Sequence, residues 1–170
     1  MYKFVANGIR DRGIENDMQY YLVVISNNQT NTEWGRETSA SLAGRLAGQF
    51  MNPANNPQGG ADTNGPTALL NSLSKFEAKY HGGSVQNIKF TPNMFNKNRK
   101  QIKNLFNTYF KKGGCHLMVT IVDRGILEDD QRHPENYPNL IVRVSWFSAI
   151  FVNLDKDVQE ELLSRTLYEA

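Results

Sequence analysis

The sequence predicts an α/β fold, on three observations. Segments of strand and helix character alternate through the second half, an apolar run suited to a buried strand occurs early at residues 20–26, and 170 residues at 39% hydrophobic and 21% charged suffice to bury one core. One domain is the default, and no internal repeat divides it. Nineteen basic residues against 17 acidic give a net charge of +2, too balanced to imply nucleic acid or membrane without a local cluster.

In chain order, residues 1–20 carry scattered apolar positions without clear caps and read as a weak helix or irregular lead-in. The run Tyr-Tyr-Leu-Val-Val-Ile-Ser at 20–26, closed by Asn-Asn, reads as a strand buried on both faces. From Gln29 to about Asn64 the chain is polar. Residues 51–65, rich in Asn, Pro and Gly, read as a long loop, unusual in a compact domain unless it is functional or packed against something else. Pro66 then opens a helix in which Leu69, Leu70, Leu73 and Phe76 share a face, and His81-Gly82-Gly83 ends it.

Residues 85–90 alternate like a short strand, with Val85, Asn87 and Lys89 on one side and Gln86, Ile88 and Phe90 on the other. Thr91-Pro92 supplies an N-cap and a first-turn proline for one long helix that buries Phe95, Ile102, Leu105, Phe106, Tyr109 and Phe110 and stops at Gly113-Gly114. A strand from Cys115, a short acidic helix at 126–131 and another apolar run at 139–145 follow. The last helix begins at Asp155 and is expected to bury Val158, Leu162, Thr166 and Leu167.

The residue types that carry chemistry are sparse. One cysteine cannot form an internal disulfide, and with three scattered histidines it makes no zinc spacing. Cys115 reads as a small buried hydrophobe, and pairing it with His116 as nucleophile and base is poor because adjacent strand residues face opposite ways. Glu128-Asp129-Asp130 reads as a solvated helix face rather than a metal site. Lys97, Arg99, Lys100, Lys103, Lys111 and Lys112 form a basic stripe that faces solvent rather than nucleic acid. The opening residues lack the apolar run of a signal peptide and no segment approaches the ~20 apolar residues of a membrane helix, so a cytoplasmic protein is expected.

One stretch is more specific. Residues 143–151 read Arg-Val-Ser-Trp-Phe-Ser-Ala-Ile-Phe, preceded in order by Gly65-Pro66-Thr67-Ala68 with Asn71-Ser72, Thr108-Tyr109-Phe110 with Gly113-Gly114, His133-Pro134-Glu135 with Tyr137, and Leu140-Ile141-Val142. These ordered blocks resemble the C-terminal region of the glycyl radical enzymes. The resemblance runs from about Gly35 to Tyr168 and fades towards Met1, dividing the chain into a lead-in at 1–32 and a glycine-radical domain at 33–170. Gly44-Arg45 and the Asn-Pro-rich loop look more like the dehydratase, decarboxylase and related lyase branches than pyruvate formate-lyase.

The resemblance implies the C-terminal portion of a large α/β barrel, with a radical loop between the last strands and a C-terminal helix. It implies that a separate activating enzyme, using an iron–sulfur cluster and S-adenosylmethionine, takes a hydrogen from a loop glycine, whose radical then oxidises a cysteine on another loop. Trp146 stands at the radical-glycine position, with Arg143, Val144, Ser145, Phe147, Ser148 and Phe151 around it. A glycine Cα radical is planar, and a Cβ would crowd it and its passage through the barrel. Cys115 does not match the catalytic-cysteine loop. The chain is therefore expected to be silent alone, with no cofactor bound, either as the radical domain of a lyase of anaerobic metabolism or as a spare-part or inhibitory subunit docking on a larger chain. Exposed apolar surface and self-association are also expected.

Overall fold

The computed structural model describes residues 2–23, 28–42, 44–75, 81–144 and 147–169. Its elements in order are α1 (Tyr2–Glu15), β1 (Leu22–Val23), α2 (Asn28–Arg36), α3 (Gly65–Leu73), β2 (His81–Gly83), β3 (Val85–Phe90), α4 (Pro92–Lys97), α5 (Arg99–Lys111), β4 (His116–Ile121), α6 (Arg124–Arg132), β5 (Ile141–Arg143), β6 (Ser148–Ile150), α7 (Lys156–Ser164) and β7 (Leu167–Tyr168). Short 3-10 turns at Pro134–Asn136 and Phe151–Asn153 complete it.

A parallel sheet in the order β4-β3-β7 organises the molecule. Residues of β3 are buried from end to end, polar ones included, as a central parallel strand requires. Ile88 and Phe90 join Leu70, Ile102, Tyr109 and Tyr168 in a core roofed by α3 and α5. Phe90 lies between aromatic rings, with centroids 6.1 Å from Phe106 and 5.9 Å from Tyr168. A second core, made of Val122, Leu127, Val142, Val144, Phe151, Val158, Leu162 and Leu163, packs the β5–β6 hairpin against α6 and α7.

Local signals behave as expected at the helix starts and stops. Thr91 caps α4 by accepting from the Met94 amide at 3.1 Å, and α5 ends at Gly113, whose φ of 96° suits glycine. The helix expected to run unbroken from Pro92 has an interruption at Asn98. Its φ of −113° leaves the helical region while its amide and side chain both bond the Met94 carbonyl, so it closes α4 and opens α5.

Other expectations for the chain's elements need correction. The polar chain after Gln29 contains α2, whose residues have little helix preference and are held by tertiary contacts. Asn31 and Thr32 are buried, the Met51 amide donates to the Asn31 carbonyl at 2.9 Å, and Arg36 pairs with Asp157 on α7. His81-Gly82-Gly83 is a strand in parallel register with β1, because a ladder is a main-chain matter that glycine does not forbid. Tyr20 and Tyr21 are exposed rather than buried, and β1 covers only two residues, with 24–27 outside the described residues. Leu167 belongs to β7 and Thr166 to its approach, since Arg165 takes extended angles (φ −61°, ψ 136°) and ends α7. The last hydrophobics thus pair with β3 instead of prolonging a helix.

The Asn-Pro-Gly segment is a loop as expected, and it is packed. Asn55 donates to the Val85 carbonyl at 3.0 Å, and the Asn56 side-chain oxygen accepts from the Asn87 amide at 3.0 Å and its carboxamide at 3.3 Å. Just before it, Arg45 is buried and donates to the carbonyls of Thr38, Ser39, Leu46 and Gln49, with Gly44 at φ 94° making the turn.

Candidate functional site

The stretch singled out as a radical loop lies on the β5–β6 hairpin, whose antiparallel register pairs Ile141 with Ile150, Val142 with Ala149 and Arg143 with Ser148. Val144 closes its end by donating to the Phe147 carbonyl at 3.1 Å. Ser145 and Trp146, between them, lie outside the described residues. The hairpin is two-faced: Val142, Val144 and Phe151 are buried, whereas Ile141 and Phe147 are 68% and 55% exposed. Alternation along β5 turns Ile141 outward and Val142 inward, and Phe151 is buried from the 3-10 turn that follows β6.

Polar contacts hold the hairpin from below. Arg165 forks onto Glu161, Nε and Nη2 reaching its two carboxylate oxygens at 2.9 and 2.8 Å, and Nη2 also donates to the Val144 carbonyl at 2.8 Å. Both partners are buried. The Phe151 amide donates to the Leu140 carbonyl at 2.8 Å, and its own carbonyl accepts from Gln159 Nε2 at 3.1 Å. On the sheet side, Arg143 donates weakly to Met118 Sδ at 3.3 Å and lies 3.4 Å from the Ser148 hydroxyl.

Lys89, buried in β3, donates through Nζ to the Leu162 carbonyl at 2.7 Å. Burial, and next the charge of Arg165, lower its pKa from 10.5 to about 8. A cavity of about 20 Å³, room for roughly one water, opens between Lys89, Arg165, Asp62 and Tyr168. Two buried acceptors on β3 lack partners, Gln86 Oε1 and Asn87 Oδ1. Asp62 accepts from the Thr166 and Tyr168 hydroxyls, and burial first, then this bond, push the Tyr168 phenol well above its usual range.

The remaining candidates fall elsewhere. Cys115 is exposed, contrary to its expected burial, because it precedes the first paired residue of β4 on the far side of a glycine turn. The acidic run is not a uniform solvated face. Glu128 pairs with Arg124 at 2.6 Å and Asp129 accepts from the Tyr137 hydroxyl at 2.9 Å. Asp130 is fully buried with both oxygens unpartnered, and burial raises its pKa, since α6 turns that position inward beside Leu127. The basic residues of α4 and α5 are exposed as expected. Among the described residues no three metal-ligating side chains converge, and no helix is long and apolar enough to cross a membrane.

Sequence reasoning passed over Glu161, Arg165, Lys89 and Asp62. Glu161 and Arg165 at i, i+4 and a lysine inside a buried strand were signals that could have found three of them.

Comparison with known proteins points the same way as the loop. The family described as glycine radical matches residues 51–152. The chain is 35% identical over 135 residues to trans-4-hydroxy-L-proline dehydratase of Clostridioides difficile, covering 78% of this chain and 17% of that protein. It is 37% identical over 139 residues to indoleacetate decarboxylase of Tractidigestivibacter scatoligenes, covering 80% and 16%. Among solved structures, the glycerol-bound form of the B12-independent glycerol dehydratase from Clostridium butyricum superposes with a TM-score of 0.83 at 32% identity, over 90% of this chain and 20% of that one. The chain spans about a fifth of the length of such relatives.

Proposed function

Because the chain belongs to the glycine radical family, we propose that it is the glycine-radical domain of a glycyl radical lyase, carrying Trp146 in place of the radical glycine and silent by itself. The observation that carries this reading is the loop 143–151 on a hairpin whose flanks, Val144 and Phe147, are joined and whose base is anchored in the core. The lyase chemistry cleaves a C–C or C–X bond by radical steps, as the names of the dehydratase and decarboxylase relatives suggest.

The physical reason for silence is local. A captodative Cα radical needs its substituents coplanar with both flanking amides, which glycine permits and an indole-bearing Cβ opposes. The family's radical is installed by a separate S-adenosylmethionine and iron–sulfur activating enzyme, the expected partner of this loop. Turnover also needs a cysteine from a separate loop, a role this reading does not give to Cys115, whose surroundings after Gly114 do not match that loop. Substrate selection would rest on barrel residues outside this sequence.

Anaerobic incubation with an activating enzyme, S-adenosylmethionine, reductant and trans-4-hydroxy-L-proline or indoleacetate tests the reading. No product is expected, and any lyase product would overturn the silent assignment.

A second reading, a non-catalytic subunit docking on a larger glycyl radical chain, is favoured by one feature. The parallel sheet is open, with β4 and β7 unpaired on their outer edges among the described residues, and Ile121, Ile141 and Phe147 are exposed nearby. Co-purification with a large cytoplasmic lyase chain supports it; a stable, non-associating monomer contradicts both docking and the self-association that the same surface favours.

A further inference from the structure

We propose that Arg165, clamped by Glu161, is a positioning residue that sets where the closed end of the β5–β6 hairpin, the Val144–Phe147 pair, sits, through the main-chain oxygen of Val144. Its importance to radical chemistry rests on the function proposed above; its mechanical role does not.

Three observations carry it. First, β5 and β6 pair only with each other among the described residues, so no wider ladder steadies Val144, and the Arg165 contact at 2.8 Å reaches it from outside the hairpin immediately beside the closing Val144–Phe147 bond. Because the acceptor is a carbonyl, the contact fixes the backbone two residues before position 146 whatever side chain follows.

Second, the guanidinium is not free to wander. Its bidentate fork on Glu161 fixes the plane in which Nη2 meets Val144, a geometry that an ammonium cannot reproduce. The base of the clamp is itself tied down. Lys89 on the central strand bonds the Leu162 carbonyl in the last turn of α7, one of the acceptors a helix end leaves open. A continuous path therefore runs from β3 through the end of α7 to Val144.

Third, the arrangement makes poor sense as a stability device. Glu161 and Arg165 are 2% and 8% exposed, and a buried ion pair repays its desolvation so narrowly that an apolar pair of similar volume is often as stable. What such a pair supplies that apolar side chains cannot is a directed donor.

Backbone hydrogen exchange on the whole chain, in Trp146→Gly and wild-type forms, tests this with Arg165→Met and the double variant Glu161→Met/Arg165→Met. The double variant removes both buried charges and keeps the fold intact if the single one does not. Faster exchange of the Val144 amide is expected in both variants, about tenfold for the loss of one such bond, with the Ile88 amide of β3 unchanged. In the Trp146→Gly form the yield of glycine-centred radical should fall in parallel. Restoration of Val144 protection and radical yield by the double variant would overturn the proposal, as would an unchanged Val144 amide in Arg165→Met. If Trp146→Gly forms no radical while exchange still responds to Arg165, the positioning role stands and the functional reading fails.

Discussion

Tyr168 donates its phenolic hydroxyl to Asp62 Oδ2 at 2.5 Å, joining the last strand to a loop 106 residues earlier. The same carboxylate accepts from Thr166, so one acidic residue ties the Asn-Pro-Gly segment to the end of the chain. Tyr168→Phe removes one charge-assisted bond and leaves the other. Urea unfolding should show a loss of about 1.5–3 kcal/mol, the usual range for a hydrogen bond to a charged group. A change within a few tenths of a kcal/mol would mean that the contact contributes nothing net.

Lys89 makes stability depend on alkaline pH in an unusual direction. Its folded pKa is lowered to about 8 from 10.5, so between these values the unfolded chain binds more protons than the folded one and stability rises with pH. Below pH 8 the lysine is charged in both states and the cost of burying it is fully present. From pH 8 to 10 the gain should be on the order of 2 kcal/mol, until unfolded tyrosines ionise and reverse the trend, since Tyr168 stays protonated when folded. Thermal melts of wild type and Lys89→Met across this window check it; equal slopes would contradict the assignment.

Two helical glycines should respond oppositely to alanine. A Cβ on Gly35 would lie 2.2 Å from the Gln49 carbonyl oxygen and 2.6 Å from the Phe50 Cα, neither of which can swing aside, whereas Gly8 in α1 has nothing within 4 Å. Gly8→Ala should stabilise by about 0.5–1 kcal/mol through helix propensity alone. Gly35→Ala should cost about 2 kcal/mol or more by forcing α2 from the loop at 49–50. Denaturant midpoints of the two variants settle the comparison, and equal midpoints would show that α2 does not pack as described.

What the sequence made legible were features set by neighbours along the chain. Thr91-Pro92, the glycine stop at 113 and the α3 face of Leu69, Leu70 and Leu73 are local chemistry and stand where expected, while Phe76 lies outside the described residues. What it hid depends on partners distant in sequence. Asn31 and Thr32 look like loop residues until α7 and the segment near Met51 cover them, and Asp130 looks solvated until α6 turns it inward. The apolar run at 139–145 ahead of the candidate loop was legible, while the return strand β6 and the Arg165–Glu161 clamp were not, because nothing in the sequence reveals that Val144 lies above Arg165.

Trp146 is proposed to silence an otherwise presentable radical loop. Anaerobic electron paramagnetic resonance on wild type, Trp146→Ala and Trp146→Gly, each incubated with an activating enzyme, reductant and S-adenosylmethionine, tests it most directly. A glycine-type doublet is expected in Trp146→Gly alone, since alanine relieves the bulk of the indole but keeps the Cβ that opposes a planar Cα radical. A doublet in the wild-type chain, or none in Trp146→Gly, would contradict it.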